Sequence, residues 1–414
     1  MQQRYILHID INHCYAQIEE MMNPQYKEVP MAVGGHEESR HGIILTKNLI
    51  AKKYGVKTAE TLREAKRKCP NLVIIHPDYP KYQYYTTKVK DIYRRYSDKV
   101  ESFGLDEAWV DITHSTQLFG SPIELAKRIQ REVRIELGLT VSIGLSGNKI
   151  FAKMGSDMFK PYGLVYINDD NYKDIIWPLP ISDLFYVGRQ TTKKMLAMHI
   201  ETIGQLALLD KSFLKLHFGK MGELLWIFAN GEDVSEVMLS SYQDEVKSVG
   251  NSITTTRDLN NSREVRSVFY VLSESIASRL KDDNLVGNTI GICLRTNELT
   301  GFVRQKKIEN YTNISGEILD ISMKLLNDNY DFSLGLRSVG IRVTGLKEDD
   351  NIMQINLFED PIKRIEAKKL DKAIDYLRSK YGFYSVKRCC MLLDNNITNF
   401  NPKGEHTIFP RGYF

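Results

Sequence analysis

Leu105-Asp106-Glu107-Ala108-Trp109-Val110-Asp111 sets two adjacent carboxylates, Asp106 and Glu107, among apolar neighbours. A third, Asp10, interrupts the first apolar run, Tyr5-Ile6-Leu7-His8-Ile9-Asp10-Ile11. An isolated acidic dipeptide belongs on a solvent-facing turn. Charged groups seldom enter a core unpaired, because desolvating each one costs several kcal/mol. Three acids on two candidate core strands therefore call for a cation. With no histidine or cysteine cluster beside them, they form a hard oxygen set suited to Mg²⁺, with Mn²⁺ as an alternative. Two such ions suit in-line phosphoryl transfer. A Walker-type loop is missing from the sequence, which argues against a P-loop ATPase.

At 414 residues the chain is too long for one core, and size alone suggests roughly two to four domains. A composition 42% hydrophobic and 26% charged, with 12 prolines, argues against widespread disorder. A net charge of +4 permits a polyanionic partner without requiring one. The five cysteines are scattered, and their one close pair, Cys389-Cys390, lacks a zinc-ligand spacing, so reduced thiols are expected. With no signal-peptide pattern and no apolar run of membrane-spanning length, a soluble cytoplasmic protein is expected.

Along the chain, residues 4–11, 30–33, 42–46 and 141–145 read as strands, and a strand pair surrounds Asp106-Glu107. Helices are expected over residues 14–22, 80–97 and 121–137, with a basic helical stretch from Lys52 to Lys68. Residues 170–235 read as short helices broken by glycines. Strands return at 248–256, 289–296 and 336–343, with helices 263–281 and 313–327 between them. One further helix, 361–381, precedes a tail with little regular pattern. The fold class is α+β and multidomain.

Asp10-Ile11-Asn12-His13-Cys14-Tyr15-Ala16-Gln17-Ile18-Glu19-Glu20 resembles the first catalytic motif of the Y-family translesion DNA polymerases. The Leu105–Asp111 stretch is similar to their second. Ser142-Ile143-Gly144-Leu145-Ser146-Gly147-Asn148-Lys149-Ile150-Phe151-Ala152-Lys153, continuing to Ser156-Asp157-Met158-Phe159-Lys160-Pro161, resembles their third. The resemblance runs from residue 4 to about 358, and the tail looks like that of the UvrX-type Gram-positive members. It implies a right-hand polymerase: a ferredoxin-like palm (1–30 and 75–165), small fingers (31–74), a helix-hairpin-helix thumb (166–240), an α+β little finger (246–346) and a tail (347–414). It implies two Mg²⁺ ions held by Asp10, Asp106, Glu107 and the Ile11 carbonyl.

Tyr15, which by spacing alone reads first as a helix-face core residue, would by this resemblance be the steric gate against a ribose 2′-OH. Lys160 would approach the dNTP triphosphate. Many members carry a tyrosine and, three residues on, an arginine in the finger helix; here Leu49 and Lys52 stand there. Lys52 keeps the charge without the bidentate fork, and Lys53 or Tyr54 are the compensating candidates. Phe185-Tyr186-Val187-Gly188-Arg189 resembles a helix-hairpin-helix turn holding a DNA phosphate. Arg257, Arg295, Arg304, Lys306 and Lys307 would be phosphate contacts of the little finger. Gln354-Ile355-Asn356-Leu357-Phe358 resembles the bacterial sliding-clamp motif, anchored by Gln354, Leu357 and Phe358. The expected activity is error-prone primer extension by a monomer on primer-template DNA, without membrane attachment. For the tail, an accessory-protein contact and docking on the body are both open. Two other readings are a clamp-tethered DNA-binding protein with degenerate catalysis and a nucleotidyl cyclase with a similar palm.

Overall fold

A computed structural model describes residues 3–35, 42–242, 245–350 and 361–405. They form two compact units, one ending at Tyr242 and the other running from Gln243 to Thr407.

The first unit is built on a five-stranded sheet with the order Val100–Phe103, Glu107–Asp111, Ile6–Ile11, Val141–Ser146, Leu164–Ile167. All neighbours are antiparallel except the last pair. Side chains alternate across a strand, and this alternation divides the first motif. Leu7, Ile9 and Ile11 join Ala108, Val110, Ile143 and Leu145 in one core, closed by Tyr82, Val89, Ile92 and Tyr93 of helix Tyr79–Arg94 and by Leu125, Ile129 and Val133 of helix Pro122–Leu137. Ile6 packs instead with Trp109 and Ala152, so Ile6, His8 and Asp10 share the opposite face with Glu107 and Trp109. Helix Lys149–Met158 closes that face. Gly144 permits its approach, since an added Cβ would lie 1.9 Å from the Ala152 carbonyl oxygen.

Asn148 starts that helix by accepting a hydrogen bond from Phe151 N–H, and Ser121 starts Pro122–Leu137 through a capping box with Glu124. A three-stranded sheet, ordered Ile44–Lys47, Met31–Gly34, Val73–Ile75, carries the short helices Leu49–Lys53 and Leu62–Lys68. Beyond residue 170 come short helices around their own core of Ile203, Leu206, Leu214, Leu225 and Phe228.

The second unit is a four-stranded antiparallel sheet, ordered Gly301–Thr312, Leu285–Thr296, Leu336–Glu348, Ser248–Leu259. Helices Ser262–Asp282 and Ser315–Asn329 pack on it. The sequence reading misses the strand Gly301–Thr312. Most of its residues are exposed and it carries Arg304, Lys306 and Lys307 at the sheet edge, so it has no apolar alternation to read. Beyond helix Pro361–Tyr381 the described tail holds only short helical turns, yet Met391, Ile397 and Phe400 enter the core of this unit. Buried Glu274 binds Arg378 at 2.8 Å and Arg388 at 2.5 Å, and buried Asp371 caps helix Ser315–Asn329 by accepting from Ser315 N–H and Oγ–H, both at 2.7 Å. Residues 361–405 are thus docked on the body of their own unit. Among the described residues no helix is long and apolar enough to cross a membrane.

Candidate active site

Strand register sets Asp10 directly opposite Glu107. Asp106 adjoins at the turn, where its carbonyl accepts from Ile11 N–H at 3.1 Å. Asp10 is 6% exposed. Burial pushes its carboxyl up to about 7 against the pull of Lys160, and the charge of Glu107 adds to the rise. Burial likewise raises Asp106, with Glu107 adding to it. Burial also works on Glu107, but its contacts with His8 and Lys153 outweigh it and hold the group down at about 2. Lys153 Nζ lies 2.5 Å and His8 Nε2 3.3 Å from the same oxygen, Glu107 Oε2. Lys160 Nζ bridges Asp10 Oδ2 at 2.6 Å and Asp157 Oδ1 at 2.7 Å.

Among the described residues, no three side chains of the metal-ligating types are gathered tightly enough to cage an ion. Two of the carboxylates instead each turn one oxygen to a lysine, Glu107 to Lys153 and Asp10 to Lys160. The donor chemistry nonetheless fits a hard divalent cation, because all three side chains are carboxylates.

His8 and Lys153 are missed by the sequence reading. Buried His8 sits two residues before Asp10, so the strand period places it on the same face. Its Nδ1 lies 2.8 Å from Ser156 Oγ, and burial lowers its pKa from the ordinary value. Its Nε2, 3.3 Å from Glu107 Oε2, completes no hydrogen bond there. Lys153 lies one helical turn after Lys149, whose ammonium is bound to Glu101 at 2.8 Å.

A cleft of about 420 Å³ brings together Asp10, Ile11, Tyr15, Leu49, Lys52, Asp106 and Lys160. Lys47, also missed, lines it, and its pKa is lowered by partial burial and then by Lys52. The family resemblance points to Lys52, whereas Lys47, at the end of a strand, has no such cue. Helix Leu49–Lys53 is pinned by buried Asn48. Its Oδ1 accepts from Ala51 N–H at 2.9 Å, and its amide donates to the carbonyls of Tyr26 and Val29. Tyr15 lies on helix Cys14–Met22 with its ring stacked on Tyr82.

Gly188 caps helix Arg189–Leu196 in extended conformation, and an added Cβ there would meet open space. In the second unit, Arg257 is shared between Glu264 at 2.9 Å and Asp394 at 2.7 Å, so its charge is already partnered. Arg295 donates to the Leu299 carbonyl, and Arg304 lies over Phe302 and donates to Asn329. Lys306 and Lys307 are exposed on the edge strand. Gln354, Leu357 and Phe358 lie outside the described residues.

Comparison with known proteins agrees with this arrangement. Residues 9–157 match the impB/mucB/samB family, and residues 246–357 match that family's C-terminal domain. The DNA polymerase IV of Acetivibrio thermocellus is 44% identical over 394 residues, covering 95% of this chain and 99% of that protein. DNA polymerase IV of Clostridium acetobutylicum is 32% identical over 395 residues, covering 94% and 98%. A solved chimeric Y-family DNA polymerase superposes with a TM-score of 0.74 at 23% identity, over 83% of this chain and 100% of the chimera, a likeness of fold. The two acid-bearing strands, the cleft beside them and these relatives lead to one assignment: the chain belongs to the impB/mucB/samB family, with DNA polymerase IV proteins among its relatives.

Proposed function

We propose that this chain is an error-prone translesion DNA-directed DNA polymerase. It adds dNMP to a primer 3′-OH opposite damaged or undamaged template, in DNA repair and SOS damage tolerance. The observation that carries this is the register of Asp10 opposite Glu107, with Asp106 adjoining, at a cleft also lined by Tyr15, Lys52 and Lys160. Asp10, Asp106, Glu107 and the Ile11 carbonyl would hold two Mg²⁺ ions, with Mn²⁺ as an alternative. Bound there, the ions would supply charge neutralisation for the triphosphate and activation of the attacking hydroxyl. In the reaction the 3′-oxygen forms a bond to the α-phosphorus while the α–β phosphoanhydride breaks and pyrophosphate leaves. Lys160 exchanges its Asp10 contact for the triphosphate, and Lys52 supplies a second point charge. Tyr15 excludes a 2′-OH by occupying its space.

The palm, fingers, thumb and little finger then correspond to residues 1–30 with 75–165, 31–74, 166–240 and 246–346. Gly188, Arg189, Arg295, Arg304 and Lys306 are phosphate contacts, with Arg257 available only after leaving its two acids. The Gln354–Phe358 peptide would tether the enzyme to the sliding clamp; alanine at 354, 357 and 358 should abolish clamp binding while sparing extension of short templates. Primer extension with Mg²⁺ tests the main reading. Alanine at Asp106 and Glu107 should abolish incorporation with DNA binding largely kept, and unchanged extension would refute the site. The exposed apolar Leu49 at the cleft favours one second reading, a clamp-tethered DNA-binding protein with weak catalysis. Failure of the wild-type chain to incorporate dNTP at any enzyme level would overturn the main reading, and retained clamp and DNA binding would then support the second.

A further inference from the structure

Helix Cys14–Met22 carries Tyr15 and, four residues on, Glu19, so both project from one face. Between them lies Tyr82 of helix Tyr79–Arg94, fully buried. Its ring stacks on Tyr15 with centroids 4.5 Å apart and planes inclined by 10°. Its hydroxyl donates to Glu19 Oε1 at 2.7 Å. Lys81 Nζ donates to the same oxygen at 2.8 Å, which compensates the charge of Glu19, itself only 2% exposed. Tyr79 sets its ring nearly perpendicular to both, at 6.1 Å from Tyr15 and 6.3 Å from Tyr82.

We propose that Tyr82, locked by Glu19, is a positioning residue for sugar selectivity, because it fixes the ring of Tyr15 against the cleft. The inference rests on the reading of Tyr15 as the gate. A steric gate discriminates only as firmly as its ring is held: a ring free to swing would admit a 2′-OH at small cost. Here one face of the Tyr15 ring is covered by Tyr82 and its edge is met by Tyr79. Tyr82 cannot withdraw without breaking a buried hydrogen bond to an acid, and bonds to charged groups are among the stronger ones. One turn of helix therefore supplies both the gate and the anchor of its backing ring. This gives the buried Glu19 of the first motif a role that metal binding does not need.

The test is the ratio of kcat/KM for dNTP and rNTP on one undamaged primer-template. It compares wild type, Tyr15→Ala, Tyr82→Leu, Tyr82→Phe and the double variant Tyr15→Ala/Tyr82→Leu, each checked by thermal melting. Loss of an aromatic pair is expected to lower selectivity roughly two- to tenfold in Tyr82→Leu. Tyr82→Phe, which keeps the ring and loses the bond to Glu19, should show a smaller fall. The double variant should be no less selective than Tyr15→Ala alone, since the backing ring acts only through the gate. Unaltered selectivity in Tyr15→Ala would overturn the gate reading and this inference with it. Relaxed selectivity in Tyr15→Ala with none in either Tyr82 variant would overturn the inference alone. Should Tyr82→Leu fail to fold, Tyr82→Phe decides: wild-type selectivity there refutes the anchor.

Discussion

Leu49 and Lys52 define the sharpest quantitative prediction: Leu49→Tyr with Lys52→Arg should tighten dNTP binding. Both residues line the cleft that holds Asp10 and Lys160. Leu49 is 42% exposed, so its leucine packs against little and a tyrosine can replace it without overfilling a core. The helix itself stays in place because its start is fixed by Asn48 rather than by the substituted side chains. A phenol hydroxyl reaching a phosphate oxygen adds a hydrogen bond to a charged group, worth about 1.5 kcal/mol at the low end of the range. Exchanging an ammonium for a guanidinium fork adds a second donor, of about the same size. The residues lie one turn apart and share one ligand, so full additivity is not expected. A total of about 1.5–3 kcal/mol corresponds to a roughly 10- to 150-fold lower dissociation constant. Single-turnover incorporation against dNTP concentration measures that constant, whereas steady-state KM mixes it with product release. A folded double variant with an unchanged constant would refute the idea that this helix contacts the triphosphate.

Two further outcomes are expected. His8→Phe keeps a buried ring beside Trp109, 5.2 Å away by centroids, but removes the group facing Glu107. The Mg²⁺ concentration for half-maximal single-turnover rate, and Mn²⁺ affinity followed by electron paramagnetic resonance, should each weaken about 10- to 100-fold; unaltered values would show that Lys153 alone orients the carboxylate. Glu274→Ala strands two guanidiniums, of which Arg378 is 9% and Arg388 34% exposed, so the low end of the buried-pair range, about 3 kcal/mol, applies. In a unit spanning Gln243–Thr407 this lowers the unfolding midpoint by roughly 6–12 °C. Wild-type melting with undiminished protease resistance of helix Pro361–Tyr381 would mean that the tail is held by other contacts.

The parts of this molecule that were legible in the sequence are those where side-chain chemistry opposes its local pattern. Asp10 stands in an apolar strand, and Asp106-Glu107 between apolar segments, so each is conspicuous before any fold is known. Helices with strong amphipathic faces and caps, such as Pro122–Leu137, were readable for the same reason. The edge strand Gly301–Thr312 was not, because charges that protect an edge also erase the period-two signal. Nor were the short turns after Tyr381, whose few apolar residues, Met391, Ile397 and Phe400, contribute to a core made by distant segments. His8 was hidden in plain view: its strand position was clear, but its partner, Glu107, is 99 residues away in sequence.

The partners of the three acids change what the Asp-Glu pair can be taken to mean. Carboxylates deep in a sheet face could be structural, each satisfied by its own lysine. Here Lys153 satisfies Glu107 and Lys160 satisfies Asp10. Burial raises the Asp106 pKa, reinforced by the charge of Glu107 and opposed by a backbone hydrogen bond and by Lys90 and Lys160. A structural network of this kind would leave an acid with unmet demand, which folding alone would replace by an apolar residue. Asp10 and Asp106 open on the cleft at the ends of their strands, together with Lys47, Lys52 and Lys160. Stability does not require such an arrangement, whereas the proposed polyanionic ligand with its cations would account for it. The proposed cation site therefore rests on buried acids that open on a cleft, where Lys160, now bound to Asp10, would be the group placed to exchange partners.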